Sequence, residues 1–345
     1  MIDVKKYVYM LAILLVVTYF ANKLKQRFFD NEQDEEYALI RKYLLNESPL
    51  NGYNKPKLWI HTKYEINSRK WKSFYSRNST DLNEPYIHLT IRTIVNQCGN
   101  DFQICLISDE TFSKLIPSWD IDILTLAEPF KSKMRELGLA QLIYIYGGLI
   151  IPNSFVCNKN LIEMFNTGTD DGKKPFVCEA INRTTNLQKE KRKMLFVPDM
   201  YFMGAKRKDP IVKELVDYLI DRNKKPHFTR EHEFLGETSQ WLLQKIDERK
   251  IILLGGEIVG VKTNKRKTIL LEDLMEEDFL DLHPNCYGVF IPNDEVLSRT
   301  KYNWFASLSG EEILNSNIII SKLIKISMID NNPVDNTNNT ALLTS

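Results

Sequence analysis

Short apolar runs alternate along the chain with segments whose apolar residues recur every three or four positions. The short runs predict strands at Lys57–His61, Ile104–Ser108, Ile121–Leu126 and Leu149–Pro152. Helical spacing of apolar residues predicts helices at Pro85–Gln97 and Lys131–Tyr146. Strands separated by helices of this length indicate βαβ units, so the pattern predicts an α/β fold with a parallel, Rossmann-like sheet.

The second half of the chain mixes helices with shorter β segments. Apolar spacing predicts helices at Asp209–Asn223 and Glu237–Asp247. Residues 251–263 predict two β segments around Gly255-Gly256. The acidic stretch 272–278 alternates with apolar residues in the manner of an amphipathic helix.

Residues 7–21 form an uncharged, mostly apolar run with lysines on both sides. Fifteen helical residues span only about 22 Å, less than the roughly 30 Å hydrocarbon core, but flanking lysines can extend the span by snorkelling. The favoured interpretation is an N-terminal membrane helix, with a cleaved signal peptide or a buried helix as alternatives. Neither the flanking charges nor the sequons at Asn46, Asn78, Asn182 and Asn338 fix its orientation.

These patterns predict four regions. Residues 1–29 are a membrane anchor with its flanks, residues 30–56 a stalk or linker, residues 57–330 one α/β domain, and residues 331–345 a disordered tail. The expected location is therefore a membrane reached by a single N-terminal pass, either of the Golgi or endoplasmic-reticulum type or a viral or host membrane.

Composition excludes several classes of protein. With 43% hydrophobic and 26% charged residues, the chain has the composition of a folded protein rather than a disordered one. Its net charge of +1 argues against a nucleic-acid binder that relies on bulk basicity. The five cysteines form no CxxC pair, so ordinary buried thiols are expected rather than a zinc site or a disulfide framework.

Candidate ligand-binding residues follow the predicted strands, because ligands of open parallel sheets bind beyond the carboxyl ends of the strands. Those ends carry His61-Thr62-Lys63, Ser108-Asp109-Glu110 and Pro152-Asn153-Ser154. The most specific arrangement is a helix that ends in Tyr146-Gly147-Gly148 and is followed at once by a strand and a polar triplet.

Four segments, in order, resemble the glycosyltransferases with a DXD-containing sugar-binding region. That family includes initiating mannosyltransferases of fungal glycans and bacterial capsular-polysaccharide synthesis proteins. The matching segments are Lys55–His61, Leu106–Glu110, Leu142–Ile151 and Tyr201–Pro210, within a region from about Pro56 to Gly236. The resemblance implies a GT-A-like nucleotide-sugar transferase fold, a nucleotide-sugar donor and a glycan or glycolipid acceptor.

The chain departs from this family pattern at the metal-binding aspartates. Their two positions fall on Pro152 and Ser154, and a family Asp–Arg pair on the preceding helix falls on Glu136 and Leu139. Proline and serine lack the charged oxygens that Mg²⁺ or Mn²⁺ requires, so neither a divalent metal nor another cofactor is expected. Lys131, Lys133 and Arg135 at the start of the same helix are cations that could neutralise a diphosphate instead, although a solvated first turn is the simpler interpretation.

The sequence therefore predicts a set of substrate-binding residues and no metal ligand. His283 joins them because the family often places a late histidine near the metal, while the catalytic residues stay unassigned. The predicted substrate-binding residues are His61, Thr62, Asp109, Arg135, Gly147, Gly148, Asn153, Ser154 and His283.

Three functional hypotheses remain open at this point. The first is a membrane-anchored glycosyltransferase-like protein that binds a nucleotide sugar and transfers it without the usual metal. The second is a catalytically inactive protein of the same fold with a binding or scaffolding role. The third is a structural membrane protein, such as a component of a viral particle or envelope, which the Asn-, Ile- and Lys-rich composition of an AT-rich genome would fit.

Overall fold

The computed structural model of the 345-residue chain describes residues 55–62, 84–179, 183–191, 193–224 and 236–328. The predicted anchor at 7–21, most of the linker and the predicted tail at 331–345 lie outside these ranges. Within the described ranges, no helix combines the length and the apolar character needed to span a bilayer.

A six-stranded sheet forms the centre of the described part, with strand order β2-β1-β3-β6-β5-β7. Strands β1, β2 and β3 run parallel to one another, and β5 runs parallel to β7. Only β6 is antiparallel to both of its neighbours. The strands are β1 (Lys57–His61), β2 (Gln103–Ile107), β3 (Gly148–Pro152), β5 (Phe176–Glu179), β6 (Pro198–Ala205) and β7 (Ile252–Leu254).

A second sheet joins two short strands, β4 (Phe155–Cys157) and β8 (Gly288–Phe290), in antiparallel fashion. Strand β4 follows β3 after only two residues, so this small sheet begins where the central sheet ends.

Helices cover the central sheet and bury its strands. Leu58, Trp59 and Ile60 of β1 are completely buried, as expected for a central strand that is covered on both faces. The helices are α1 (Pro85–Cys98), α2 (Thr111–Leu115), α3 (Phe130–Tyr146), α4 (Ile162–Gly168), α5 (Arg183–Lys191), α6 (Pro210–Lys224), α7 (Glu237–Asp247), α8 (Leu271–Leu274), α9 (Asn293–Ser298), α10 (Gly310–Asn315) and α11 (Ile319–Met328).

Most elements predicted from the apolar pattern are present. The helices predicted at Pro85–Gln97, Lys131–Tyr146 and Asp209–Asn223 appear as α1, α3 and α6 with ends shifted by one residue, and α7 matches its prediction. The five cysteines are buried and unpaired by disulfides, as the sequence indicates.

Two predicted β regions are wrong. Ile121–Leu126 contains a 3₁₀ turn at Ile123–Thr125, and the Asp122 carboxylate caps this turn by accepting a hydrogen bond from the Leu124 N–H at 3.1 Å. In residues 251–263 only Ile252–Leu254 joins the sheet. The chain then turns through Gly260, which has a positive φ of 64°, and the second predicted segment keeps a single bridge between Lys262 and Thr268.

The acidic stretch 272–278 is also less regular than predicted, since its helix covers only Leu271–Leu274. The fold is nevertheless a mixed α/β architecture with a mostly parallel central sheet. The antiparallel strand β6 is the departure from the fully parallel sheet that the sequence predicted.

Candidate functional site

The carboxyl ends of β1, β2 and β3 lie side by side at one edge of the sheet. Their register pairs His61 with Ile107 and with Pro152, which brings three of the predicted polar strand ends together. Because β6 is antiparallel, its first residues lie at this same edge. We call this region the carboxyl edge of the sheet.

A buried ionic cluster of His61, Asp109 and Arg135 occupies the carboxyl edge at β1 and β2. The His61 Nε2 lies 2.9 Å from the Asp109 Oδ1, and the Arg135 guanidinium donates from Nε to Oδ1 at 2.9 Å and from Nη2 to Oδ2 at 2.8 Å. Burial opposes ionisation of Asp109, but the hydrogen bonds and charges of His61 and Arg135 outweigh it and hold the pKa of that carboxyl well below its usual range.

Arg135 is directed inward rather than toward a ligand at the surface. Its side chain is 1% exposed, and its Nη1 also contacts the Glu128 Oε1 at 3.3 Å. Thr62 is similarly buried, and its hydroxyl donates to the Ile107 carbonyl at 3.2 Å. These two predicted residues therefore hold the strand ends in place.

Asn153 and Ser154 connect the two sheets. The Ser154 hydroxyl donates to the Ile291 carbonyl at 2.7 Å, and the Ile291 N–H donates to the Ser154 carbonyl at 3.1 Å. The Asn153 carbonyl accepts a hydrogen bond from the Thr90 hydroxyl at 2.5 Å. At the two positions where the resemblance would place metal-binding aspartates, the chain thus presents a proline and a serine that is 2% exposed and whose hydroxyl is already engaged.

Gly147 and Gly148 lie at the opposite edge of the sheet from these residues, because they begin β3 instead of ending it. Their φ angles of 72° and 106° belong to the left-handed region. The Gly147 carbonyl accepts a hydrogen bond from the Trp59 Nε1 at 2.9 Å, and a Cβ on Gly148 would lie 2.1 Å from the Lys57 carbonyl oxygen. The two glycines therefore allow β3 to start tightly against β1.

His283 lies in the loop before β8, and its Nδ1 accepts a hydrogen bond from the Asn285 N–H at 3.1 Å. Next to it, the Pro284 carbonyl accepts from the Lys159 Nζ at 2.6 Å. The register of β4 with β8 places Lys159 at the other end of the small sheet from Ser154. The structure does not bring His283 to the carboxyl edge.

Two carboxyl groups that the sequence did not assign to the site lie in this region, on α3 and at the start of β6. Glu136 accepts a hydrogen bond from the Thr238 hydroxyl at 2.6 Å, and Asp199 accepts one from the Tyr201 N–H at 2.8 Å. Both side chains are half-buried. We call Glu136 and Asp199 the carboxyl pair.

The electrostatics of the carboxyl pair favour the protonated form of each group. Burial raises the pKa of Glu136 to about 7, with a further increase from the charge of Asp199 and opposing effects from the Thr238 hydrogen bond and the Lys133 charge. Burial likewise raises the pKa of Asp199 to about 6, and the charge of Asp294 adds to this rise. Carboxyl groups that titrate near neutral pH can serve as general acids or bases.

The sequence indicates only one member of the carboxyl pair. Glu136 falls on a family position that the resemblance identified, whereas Asp199 precedes Met200-Tyr201-Phe202 with no motif of its own. Only the antiparallel direction of β6 brings Asp199 to the carboxyl edge. Across the described ranges, no three His, Cys, Asp or Glu side chains are grouped in a way that could hold a metal ion.

No family model matches the chain, and no curated protein matches it. One solved structure, the PaToxG glycosyltransferase, is similar over 67% of this chain and 81% of that chain, with 15% sequence identity and a TM-score of 0.33.

Proposed function

We propose that this chain is a glycosyltransferase-like protein that binds a nucleotide sugar at the carboxyl edge of its sheet without a divalent metal. The observation that supports this most directly is the half-buried carboxyl pair beside the strand ends. In mostly parallel α/β sheets this edge is the usual place for ligands. The departures at Pro152 and Ser154 are the reason for proposing a metal-free site.

The carboxyl pair provides groups suited to sugar chemistry. Carboxylates accept hydrogen bonds from sugar hydroxyls, and a carboxylate near neutral pKa can take the proton of an acceptor hydroxyl as it attacks the donor. In this proposal Glu136 or Asp199 is the general base for a glycan or glycolipid acceptor. Lys133, whose charge acts on Glu136, is the nearby cation that would offset the diphosphate charge.

A thermal-shift panel of nucleotide sugars on the full-length protein tests this proposal. The stabilising donor should raise the free energy of unfolding by RT ln(1 + [L]/Kd) and thereby raise the melting temperature. The shift in melting temperature should be equal in EDTA and in Mn²⁺. Glu136→Gln and Asp199→Asn should reduce turnover of that donor, while Asp217→Asn on the exposed face of α6 should not. If no donor shifts the melting temperature under either condition, the proposal is wrong.

A catalytically inactive protein of the same fold is the second candidate. The hydrogen bonds of Ser154 to Ile291 and of Arg135 to Asp109 favour it, because both side chains bind other parts of the protein instead of a ligand. Release of nucleotide from a bound donor separates the two candidates, since an inactive protein would bind the donor and leave it intact. If the protein binds no donor and is found in viral particles or envelopes, this would instead support the structural membrane role.

Membrane attachment through residues 7–21 is a further part of the proposal and rests on the sequence alone. Carbonate extraction of membranes checks it, because a spanning helix stays in the pellet while a peripheral protein is released. A variant with four aspartates within residues 7–21 should move to the soluble fraction. Glycan addition at Asn46 or Asn78 would show that the domain faces a lumen.

A further inference from the structure

The edge of the central sheet opposite the carboxyl edge carries a group of exposed basic side chains. Strand β6 ends at this edge and continues into Lys206-Arg207-Lys208, all three of which are exposed. Because β5 is antiparallel to β6, it begins at the same edge, directly after Lys173-Lys174-Pro175, whose two lysines are exposed. We call Lys173, Lys174, Lys206, Arg207 and Lys208 the basic edge.

The basic edge is one continuous surface, because the loops that carry it are in contact. A Cβ added to Gly172 would lie 3.5 Å from the Lys206 Cδ, so the loop before β5 lies against the segment after β6. The Lys174 Nζ donates to the Arg249 carbonyl at 2.9 Å, which extends the surface to the loop before β7. Arg249 and Lys250 of that loop are also exposed. Cations therefore line the ends of three neighbouring strands.

The positive charge of residues 206–208 is not neutralised by neighbouring carboxylates. Within the described ranges, no carboxylate forms an ion pair with these three residues. Asp170 pairs with Lys173 at 3.6 Å, and Asp209 is buried and accepts a hydrogen bond from the Ile211 N–H at 2.8 Å. The exposed acidic residues of the three loops are Asp170, Asp171 and Glu248, fewer than their exposed basic residues.

The linker enters the domain close to the basic edge. Strand β1 begins at Lys57, whose carbonyl oxygen would lie 2.1 Å from a Cβ on Gly148. A Cβ on Gly147 would in turn lie 2.6 Å from the Arg207 N, so the start of β1, the two glycines and the basic edge follow one another. The linker that follows the apolar run 7–21 therefore ends beside the basic edge and away from the carboxyl edge.

We propose that the basic edge binds the headgroups of anionic phospholipids at a membrane surface. Ammonium and guanidinium groups donate to the phosphate and carboxylate oxygens of such headgroups, and the negative potential of the bilayer attracts a polybasic surface. A lipid surface fits better than a nucleic acid, because the linker from the expected anchor ends at this edge and the whole chain carries a net charge of only +1. The carboxyl edge, at the other end of the strands, then faces away from the membrane. This proposal does not depend on whether the carboxyl edge binds a nucleotide sugar.

Flotation of the full-length chain with lipid vesicles tests the proposal. Four aspartates are first introduced within residues 7–21, so that this run does not insert on its own. The protein should float with phosphatidylcholine vesicles that contain phosphatidylserine and should stay unbound with pure phosphatidylcholine. Binding should weaken as the salt concentration rises, because counterions screen the attraction between exposed charges. Equal flotation with both kinds of vesicle, or none with either, would overturn the proposal.

A combined Lys206→Gln, Arg207→Gln and Lys208→Gln variant locates the binding surface. Its affinity for the phosphatidylserine vesicles should fall roughly 100-fold, because each basic side chain near such a surface contributes about fivefold. Its melting temperature should stay the same, since these exposed side chains form no ion pair within the described part of the chain. Unchanged affinity in this variant would show that the basic edge does not bind lipid.

A combined Lys265→Gln, Arg266→Gln and Lys267→Gln variant is the matched control, because it removes the same three residue types from another exposed turn. Lys262, at the base of that turn, lies 2.5 Å from Glu179, the last residue of β5, so the turn lies toward the carboxyl edge. This control should float as the parent protein does. An equal loss in both triple variants would show that total charge, and not the basic edge, determines binding. A chain that ignores the vesicles but shifts a labelled oligonucleotide would overturn the choice of lipid as the partner.

Discussion

Arg135 holds Asp109 through two parallel hydrogen bonds of 2.9 and 2.8 Å in the protein interior. Replacing Asp109 by Asn leaves the buried guanidinium with the half-exposed Glu128 carboxylate, at 3.3 Å, as its remaining acidic contact. We expect Asp109→Asn to lower the free energy of unfolding by about 3–5 kcal/mol, as for other broken buried ion pairs. Urea denaturation at pH 7 measures this difference.

The same variant has a defined pH dependence. Because the pKa of Asp109 is lowered in the folded state, its stabilising contribution is present above the unfolded pKa of about 3.9 and is lost as the pH falls below it. The gap between the two proteins should therefore narrow in acid. Asp217→Asn breaks an exposed pair with Lys213 and should cost less than about 1 kcal/mol. A similar cost for both variants would contradict the buried-pair interpretation.

Glu136 should produce the opposite pH dependence. Its pKa is raised from 4.5 to about 7 in the folded state, so the folded protein is favoured at low pH. Its stability falls as the pH rises from about 4.5 to about 7. Glu136→Gln removes that loss, and we expect the variant to gain on the order of 1–3 kcal/mol over the unmodified protein at pH 8. At pH 4 the gain should be absent.

Urea denaturation at the two pH values gives the measurement for Glu136→Gln. Asp199→Asn should show the same sign with its transition nearer pH 6. Glu110→Gln, at an exposed carboxylate, is the control and should follow the unmodified protein. A gain for Glu136→Gln that is the same at pH 4 and pH 8 would show that hydrogen bonding, and not ionisation, determines the effect.

Local periodicity was sufficient to predict the three neighbouring parallel strands β1, β2 and β3, whereas β5, which runs parallel to β7, was not predicted. The apolar runs that became β1, β2 and β3 are buried on both faces, and the helices between them have clear apolar faces, so pattern and fold agree. Ile121–Leu126 has the same apolar composition, yet it contains a 3₁₀ turn capped by Asp122. The Asp122 cap is a local side-chain contact that apolar spacing does not register.

The candidate site was less predictable because tertiary contacts determine it. His61, Thr62, Asp109, Asn153 and Ser154 were placed correctly at strand ends by the rule for parallel sheets. Gly147 and Gly148 were grouped with them because a helix that ends in Tyr146-Gly147-Gly148 and leads at once into a strand resembles the family pattern, although that five-residue strand separates the two edges. Asp199 was missed because the antiparallel direction of β6 has no signature in its own sequence.

Ser154→Ala separates a structural serine from a ligand-binding one. The Ser154 hydroxyl donates to the Ile291 carbonyl at 2.7 Å, so its loss should lower the free energy of unfolding by about 1–3 kcal/mol. Affinity for a stabilising nucleotide sugar should stay unchanged, and titration with Mn²⁺ should be silent in both proteins. Micromolar Mn²⁺ binding that disappears in Ser154→Ala would overturn the metal-free proposal.

Gly148→Ala tests the close approach of β3 to β1. The positive φ of 106° already disfavours a side chain, and the added Cβ would lie 2.1 Å from the Lys57 carbonyl oxygen, so backbone atoms must move to accommodate it. We expect a loss of at least about 3 kcal/mol in the free energy of unfolding, which combines backbone strain with the broken fit between the two strands. Gly236→Ala is the matched control, because no atom lies within 4 Å of a Cβ at that position and its φ of −51° suits alanine. Urea denaturation of the two variants measures the difference, and similar midpoints would show that β3 can shift away from Lys57 at little cost.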